Sequence, residues 1–170
     1  PLIQYHCAEG NAAMLGMGDG AEAIAQWMLA YNGQLKMNGK LHQAPIVEYC
    51  SHLEPVHSTD EWHTYRIHDW VALNEKNYAE WRRLTRLADQ MVLLESAFTA
   101  HVMAFARGIN WFVDRRLVAE LTDYHGCQWH QRRGADLLAF DATFRIQAQL
   151  PDGIGLGKGV SIGFGRVKSE

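Results

Sequence analysis

Glycine stands at 153, 155, 157, 159, 163 and 165 near the end of this 170-residue chain, in the stretch PDGIGLGKGVSIGFGRV from Pro151 to Val167. Glycine admits positive φ and lets other groups approach the main chain closely. Successive N–H groups in such a loop form a concavity that favours anions. With Lys158 among the glycines and Arg166 just after them, a phosphate-bearing ligand is the first chemistry to test. Two standard phosphate loops fail. The pattern G-x-x-x-x-G-K-[ST] is absent, because Gly153 lies only four residues before Gly157 and Lys158 is followed by Gly159. The pattern G-x-G-x-x-G must open a helix inside a βαβ unit. Its spacing is absent, and the eleven residues after Gly159 leave no room for that helix. A glycine-rich hairpin built only for tight turning is the other reading, and composition leaves both open.

Histidine is the next chemical resource, with nine in the chain. It titrates near neutrality and serves as acid or base. His125-x-Cys127-x-x-His130 has zinc-ligand types, and Cys50-x-His52 would add two more. Neither spacing is that of a finger or ribbon, and Cys127 and Trp129 fit a strand face equally well, so no metal is expected. Trp81-Arg82-Arg83 joins an aromatic to two cations. Helical periodicity already assigns Trp81 to a core, which leaves the arginines as solvent face, with phosphate contact as a second use.

The elements that would position these residues are α and β mixed. Pro1–Cys7 and Ala12–Met17 read as strands turning at Glu9-Gly10-Asn11. Asp19 and Glu22 suggest a capping pair for a helix with Ala21, Ile24, Ala25, Met28 and Tyr31 on one face, ended by Asn32-Gly33. A strand is expected within Leu41–Tyr49, a loop over Pro55–Asp60, and a strand over Glu61–Leu73. Asn77 and Glu80 suggest a second capping pair. From there Tyr78, Trp81, Leu84, Ala88, Met91, Leu94, Phe98, Val102 and Phe105 form an amphipathic stripe, as one helix or as two with a bend near Asp89. Phe112–Tyr124 and Cys127–Arg133 read as strands or as a short helix plus a strand. The clearest strand is Ala135–Leu150, where Phe140, Ala142, Phe144, Ile146, Ala148 and Leu150 alternate with Asp141, Thr143, Arg145, Gln147 and Gln149. Its polar face ends at the glycine loop.

The stretch GIGLGKGVSIGFGRV resembles the C-terminal glycine-rich loop of the RAMP superfamily of CRISPR-associated proteins, and within it the endoribonucleases that cut CRISPR repeat RNA. Tyr65–Tyr78 (YRIHDWVALNEKNY), Leu94–Phe112 (LESAFTAHVMAFARGINWF) and Phe140–Leu150 are similar to the same family, so the likeness spans roughly residues 63 to 168. The opening PLIQYHCAEGNAAM is similar to an internal segment of those proteins.

This resemblance implies an α+β fold of paired ferredoxin-like (RRM-like) modules, antiparallel sheets with packed helices. Residues 1–62 would be a first module incomplete at its N-terminus, and 63–170 a second module carrying the loop. Gly153, Gly155, Gly157, Lys158, Gly159, Gly163, Gly165 and Arg166 would bind RNA. Cleavage would be metal-independent and need no cofactor, with CRISPR repeat RNA as partner and other CRISPR-associated proteins as further ones. The catalytic histidine would stand near the first helix of the first module, ahead of Pro1. His6, His42, His52, His57, His63 and His68 are therefore only available, not assigned. The alternative is a non-catalytic RNA- or protein-binding subunit, or a fused domain, of a larger CRISPR assembly.

Composition bounds these readings. Hydrophobic content of 48% with 21% charged residues suits a globular protein with a real core. A net charge of −3 and a pI near 6.3 give no global nucleic-acid signature, so RNA binding would need a local basic surface. Arg82, Arg83, Arg86, Arg107, Arg115, Arg116, Arg132 and Arg133 are the candidates for one. Three cysteines without framework spacing fit a reducing, cytoplasmic compartment. No signal peptide or apolar run of membrane-spanning length is present. The start at Pro1, without methionine, suggests a part of a longer protein.

Overall fold

A computed structural model of the chain describes residues 2–8, 10–51, 53–132 and 134–170. Pro1, Glu9, His52 and Arg133, each named above, lie outside the described residues. The chain begins with an antiparallel hairpin, β1 (Ile3–Ala8) and β2 (Asn11–Gly16), followed by α1 (Asp19–Ala30). A short hairpin follows, β3 (Gln34–Met37) and β4 (Lys40–Gln43). The larger part is β5 (His57–Trp70), α2 (Glu75–Trp81), α3 (Leu87–Gly108), β6 (Ala119–Arg132), β7 (Ala135–Gln149) and β8 (Arg166–Ser169).

These last four strands make one antiparallel sheet in the spatial order β6-β7-β5-β8. Numbered within the unit, that order is 2-3-1-4, the strand order of a ferredoxin-like βαββαβ fold. One part of that plan is altered. Where a second crossover helix belongs, between β7 and β8, the chain has the glycine-rich loop with a three-residue 3₁₀ turn, Val160–Ile162. The fold is thus the α+β, ferredoxin-like architecture expected.

The core explains why β7 was the most legible strand. Phe140, Ala142, Phe144, Ile146 and Ala148 are fully buried on one face, in one core with Leu94, Ala97, Phe98 and Val102 of α3. Phe98 and Phe144 stack at 4.2 Å, nearly parallel, and the Trp70 indole meets both edge-on at 5.9 and 5.5 Å. Among the described residues no helix is long and apolar enough to cross a membrane.

Several local expectations are corrected. The Asn77–Glu80 cap lies one turn too late, since Asn74 caps α2 and its Oδ1 accepts the Asn77 N–H at 2.8 Å. Replacing Asn74 with alanine leaves that donor unpaired and should cost about 1 kcal/mol, read as a lower urea midpoint. The Asp19–Glu22 pair likewise caps nothing. Gly18 is the N-cap of α1 without a side-chain bond, and the helix stops at Ala30, before Asn32. The loop expected over Pro55–Asp60 is strand from His57 onward, and the strand expected within Leu41–Tyr49 stops at Gln43. Of the stretches Phe112–Tyr124 and Cys127–Arg133, residues 119–132 form the single strand β6, 112–118 is not strand, and the register of β6 shifts around Tyr124–Gly126. The stripe does break into two helices, between Trp81 and Leu87.

Candidate functional site

The loop joining β7 to β8 grips both faces of the sheet's end. Ile154 and Leu156 are buried in the main core. Phe164 packs instead with Val71 and Ala139 in a small second cluster. Neighbouring strand residues alternate faces, so Ala139 and its cluster lie on the side opposite Phe140. Apolar pins at both limbs therefore hold the glycines in place. At Gly157 an added Cβ would stand 2.8 Å from Trp70 Nε1 and 2.9 Å from the Val71 carbonyl, with φ at +93°. No other residue fits there without displacing its neighbours.

Most of the loop's amide donors are used internally. Gly153 N–H donates to Val167 O (2.8 Å), Gly163 N–H to Val160 O (3.4 Å), Gly165 N–H to Asp69 O (3.1 Å) and Lys158 N–H to Val71 O (3.2 Å). Gly155 N–H donates to Gln4 Oε1 at 2.6 Å, and Gln4 Nε2 returns a bond to Gly155 O at 3.2 Å. Gln4 is buried and comes from β1, so the N-terminal hairpin is latched to the loop. Arg166 Nη1 adds a bond to Cys7 O at 2.9 Å. Gly157 and Gly159 N–H have no partner among the described residues, and the Lys158 side chain between them is exposed. Of the eight residues expected to bind RNA, these three present free donors together.

Two surfaces flank the loop. On the helix-free face of the sheet, Asp69 sits at a register shift in β5 with φ +49°, a conformation that costs a non-glycine residue roughly 1–2 kcal/mol. Asp141 Oδ1 accepts its N–H at 2.9 Å, and Gln128 Nε2 donates to Asp69 Oδ1 at 2.9 Å. His130 Nε2 lies 3.0 Å from the same oxygen, off the alignment of a good hydrogen bond, and edge-on to Phe164. His68 Nδ1 stands 3.6 Å from Asp141. Cross-strand partners share a face, so Arg66 and Lys168, and His68 and Arg166, stand side by side. Farther along, Arg145 covers the Trp62 ring at 4.7 Å and donates to Glu120 at 2.7 Å. Arg66, Arg145, Arg166 and Lys168 thus bring positive charge to this face, with Asp69, Asp141 and Glu120 among them. The face is not all wet, because Thr143 is buried, with its Oγ1 2.9 Å from His125 Nε2.

On the other side of the loop is a cavity of about 200 Å³. His101 of α3 lines it, half-buried, its Nδ1 accepting the Trp70 Nε1–H at 3.1 Å. Burial, and next the charge of Lys158, lower its pKa from 6.5 to about 4, so the ring is neutral at pH 7 with its proton on Nε2. Sequence reasoning missed this residue, because it neighbours Val102 on a helix whose periodicity accounts for the whole stretch.

The available histidines scatter. His6 on β1 is half-buried, its pKa lowered by burial and by Arg166. His42 and His57 are exposed, His63 is half-buried in β5, and His68 faces Asp141. The zinc-type residues turn to separate partners, His125 to Thr143 and His130 to Asp69. Among the described residues no three such side chains converge.

Comparison with known proteins adds the following. The model of the Cas6b C-terminal domain matches residues 57–170, and that of the Cas6b N-terminal domain matches residues 1–54. An uncharacterized protein of Methanocaldococcus jannaschii is 31% identical over 101 residues, which covers 59% of this chain and 67% of the relative. The crystal structure of a Cas6b superposes with a TM-score of 0.88 at 19% identity, over 100% of this chain and 78% of that one. A CRISPR RNA processing endoribonuclease Cas6b gives 0.81 at 18% identity, over 100% and 82%. Csf5, a type IV Cas6 crRNA endonuclease, gives 0.61 at 16% identity, over 100% and 68%. At these identities the solved structures speak for the fold.

Proposed function

The chain belongs to the Cas6b family of CRISPR repeat-RNA-processing endoribonucleases, and from that premise we propose how its own residues take part. Repeat RNA lies along the loop Gly153–Gly165. The N–H groups of Gly157 and Gly159, the Lys158 ammonium and the Arg166 guanidinium meet its phosphates. Gly153, Gly155, Gly163 and Gly165 shape the same loop, their donors being committed within the protein. The observation that carries this reading is the pair of unpartnered amides flanking an exposed lysine, held rigid by buried residues on both sides. Amides and a cation pre-positioned in this way suit an anion at little ordering cost.

Cleavage proceeds in this proposal by attack of a 2′-hydroxyl on the adjacent phosphorus. A base takes the hydroxyl proton, an acid protonates the departing 5′-oxygen, and a 2′,3′-cyclic phosphate remains. No metal ion and no cofactor enters. The division into two ferredoxin-like modules belongs to the same proposal, drawn in sequence at 62/63. The start of β5 at His57 and the two domain matches support a join a few residues earlier. Other CRISPR-associated proteins are the partners such a module would meet.

The test is incubation of the full-length protein with end-labelled repeat RNA in EDTA, following binding and product together. A single product ending in a cyclic phosphate is expected. Binding without cleavage would turn the proposal into one of a non-catalytic RNA-holding subunit. Neither binding nor cleavage would end it. Lys158→Ala should weaken binding and reduce the slope of log K against log salt by about one phosphate contact, roughly 0.7 for a single strand. An unchanged slope would remove the lysine from the RNA.

A further inference from the structure

The cavity beside the loop is small and one-sided in its chemistry. An apolar cavity of about 150 Å³ takes one benzene ring. The volume here, about 200 Å³, suits a flat heterocycle without its sugar or phosphate. It is below the ~300 Å³ at which ordinary small-molecule sites begin. Its wall is mainly apolar, with Met17, Phe105, Ile109 and Val160. Two free donors belong to it. His101 bonds Trp70 through Nδ1, and its Nε2–H has no partner among the described residues. Gly157, with its unpartnered N–H, is part of the same wall. Gln4 also lines it, but its amide is occupied at both ends by Gly155.

We infer that this cavity receives one unpaired base of the RNA, turned in from a strand held at Lys158, with a carbonyl edge toward His101 and Gly157. The inference rests on the RNA-processing reading above and deepens it. Three observations point to a base. Gly157 borders the cavity and Lys158 is the next residue, so a phosphate held at the loop brings its own base to the opening. Phe105 supplies an aromatic wall of the kind that unstacked RNA bases use. Two free donors, at His101 and Gly157, favour bases that present acceptors. Guanine offers O6 and N7 side by side, whereas adenine would set its amino group against a donor. A buried donor left facing another donor is costly, so the pocket would discriminate by what it refuses.

The experiment is an abasic scan. Repeat RNA with a 2′-deoxy residue at the mapped cut is titrated against the full-length protein, with one base removed at a time. One position should stand out, its loss weakening binding about tenfold or more, as loss of a stacked base does. Placing adenine there should cost more than placing guanine. Ala104 stands exposed at the cavity's mouth, so Ala104→Trp should fold normally and close the opening. In that variant intact RNA should bind about as weakly as the abasic RNA binds the unmodified protein, with no further abasic penalty. His101→Ala should erase the preference between guanine and adenine, and His101→Gln, which keeps a donor, should restore it. A flat scan, or a penalty that persists in Ala104→Trp, overturns the base pocket and leaves the phosphate-binding loop standing. No RNA binding at all by the unmodified protein overturns the reading beneath both.

Discussion

Gly165→Ala should destabilise the protein by more than about 3 kcal/mol, lowering its melting temperature by roughly 10 °C. The added Cβ would stand 2.0 Å from the Leu156 carbonyl oxygen and 3.0 Å from its carbon. Both atoms are main chain, so no rotamer change relieves the contact. The φ of +70° adds roughly 1–2 kcal/mol for any residue with a Cβ. The strand-like bond from Leu156 N–H to Gly165 O, and the bond from Gly165 N–H to Asp69 O, would be disturbed with it. Gly153→Ala is the control. Its φ is similarly positive at +81°, but its Cβ would meet nothing within 4 Å. That variant should lose only about 1 kcal/mol. Equal losses in urea titrations of the two would show that backbone strain, not packing against Leu156, makes the glycines necessary.

Acid should weaken the fold through His101. Its pKa in the folded protein is about 4, against 6.5 for a free imidazole, because burial and then Lys158 disfavour the imidazolium. In the unfolded chain it takes up a proton below about pH 6.5, while the folded chain resists until about pH 4. The unfolded state thus binds more protons in that window, and stability falls as pH drops through it. The full depression corresponds to about 3 kcal/mol, an upper figure for a half-buried ring. His6 adds in the same direction. His101→Gln should flatten the decline between pH 6.5 and 4, by urea midpoints at each pH. A decline as steep in His101→Gln as in the unmodified protein would assign it elsewhere.

The sheet-forming part of this fold was readable wherever one period explained every residue. The alternation from Ala135 to Leu150 needed no context, and it became β7 with its apolar face fully buried. Caps were read less well. Asn77 was read as the cap, whereas Asn74, three residues earlier, caps the helix that carries Tyr78 and Trp81 to the core. β5 was begun too late because His57–Asp60 shows no alternation. Its pairing with the far end of β7 is a long-range contact that composition does not announce. The loop glycines were visible at once, yet their division of labour was not. Whether an amide is spent on Gln4 or left for a ligand depends on a strand 151 positions away. His101 was hidden for the same reason, since its partner Trp70 comes from another element.

The latch between Gln4 and Gly155 also sets an order in time. The β1–β2 hairpin is local and can close as soon as it is made, but its docking partner Gly155 lies 151 positions later in the chain. At ribosomal rates the wait is on the order of ten seconds, long compared with the microseconds in which hairpins form. β5 also waits, over a shorter separation, for β8 at its edge. Refolding of the intact chain faces no such queue, so the nascent and the denatured protein should approach the native state by different sequences of events. On the ribosome the β1–β2 hairpin would dock only once the loop that holds it has left the exit tunnel.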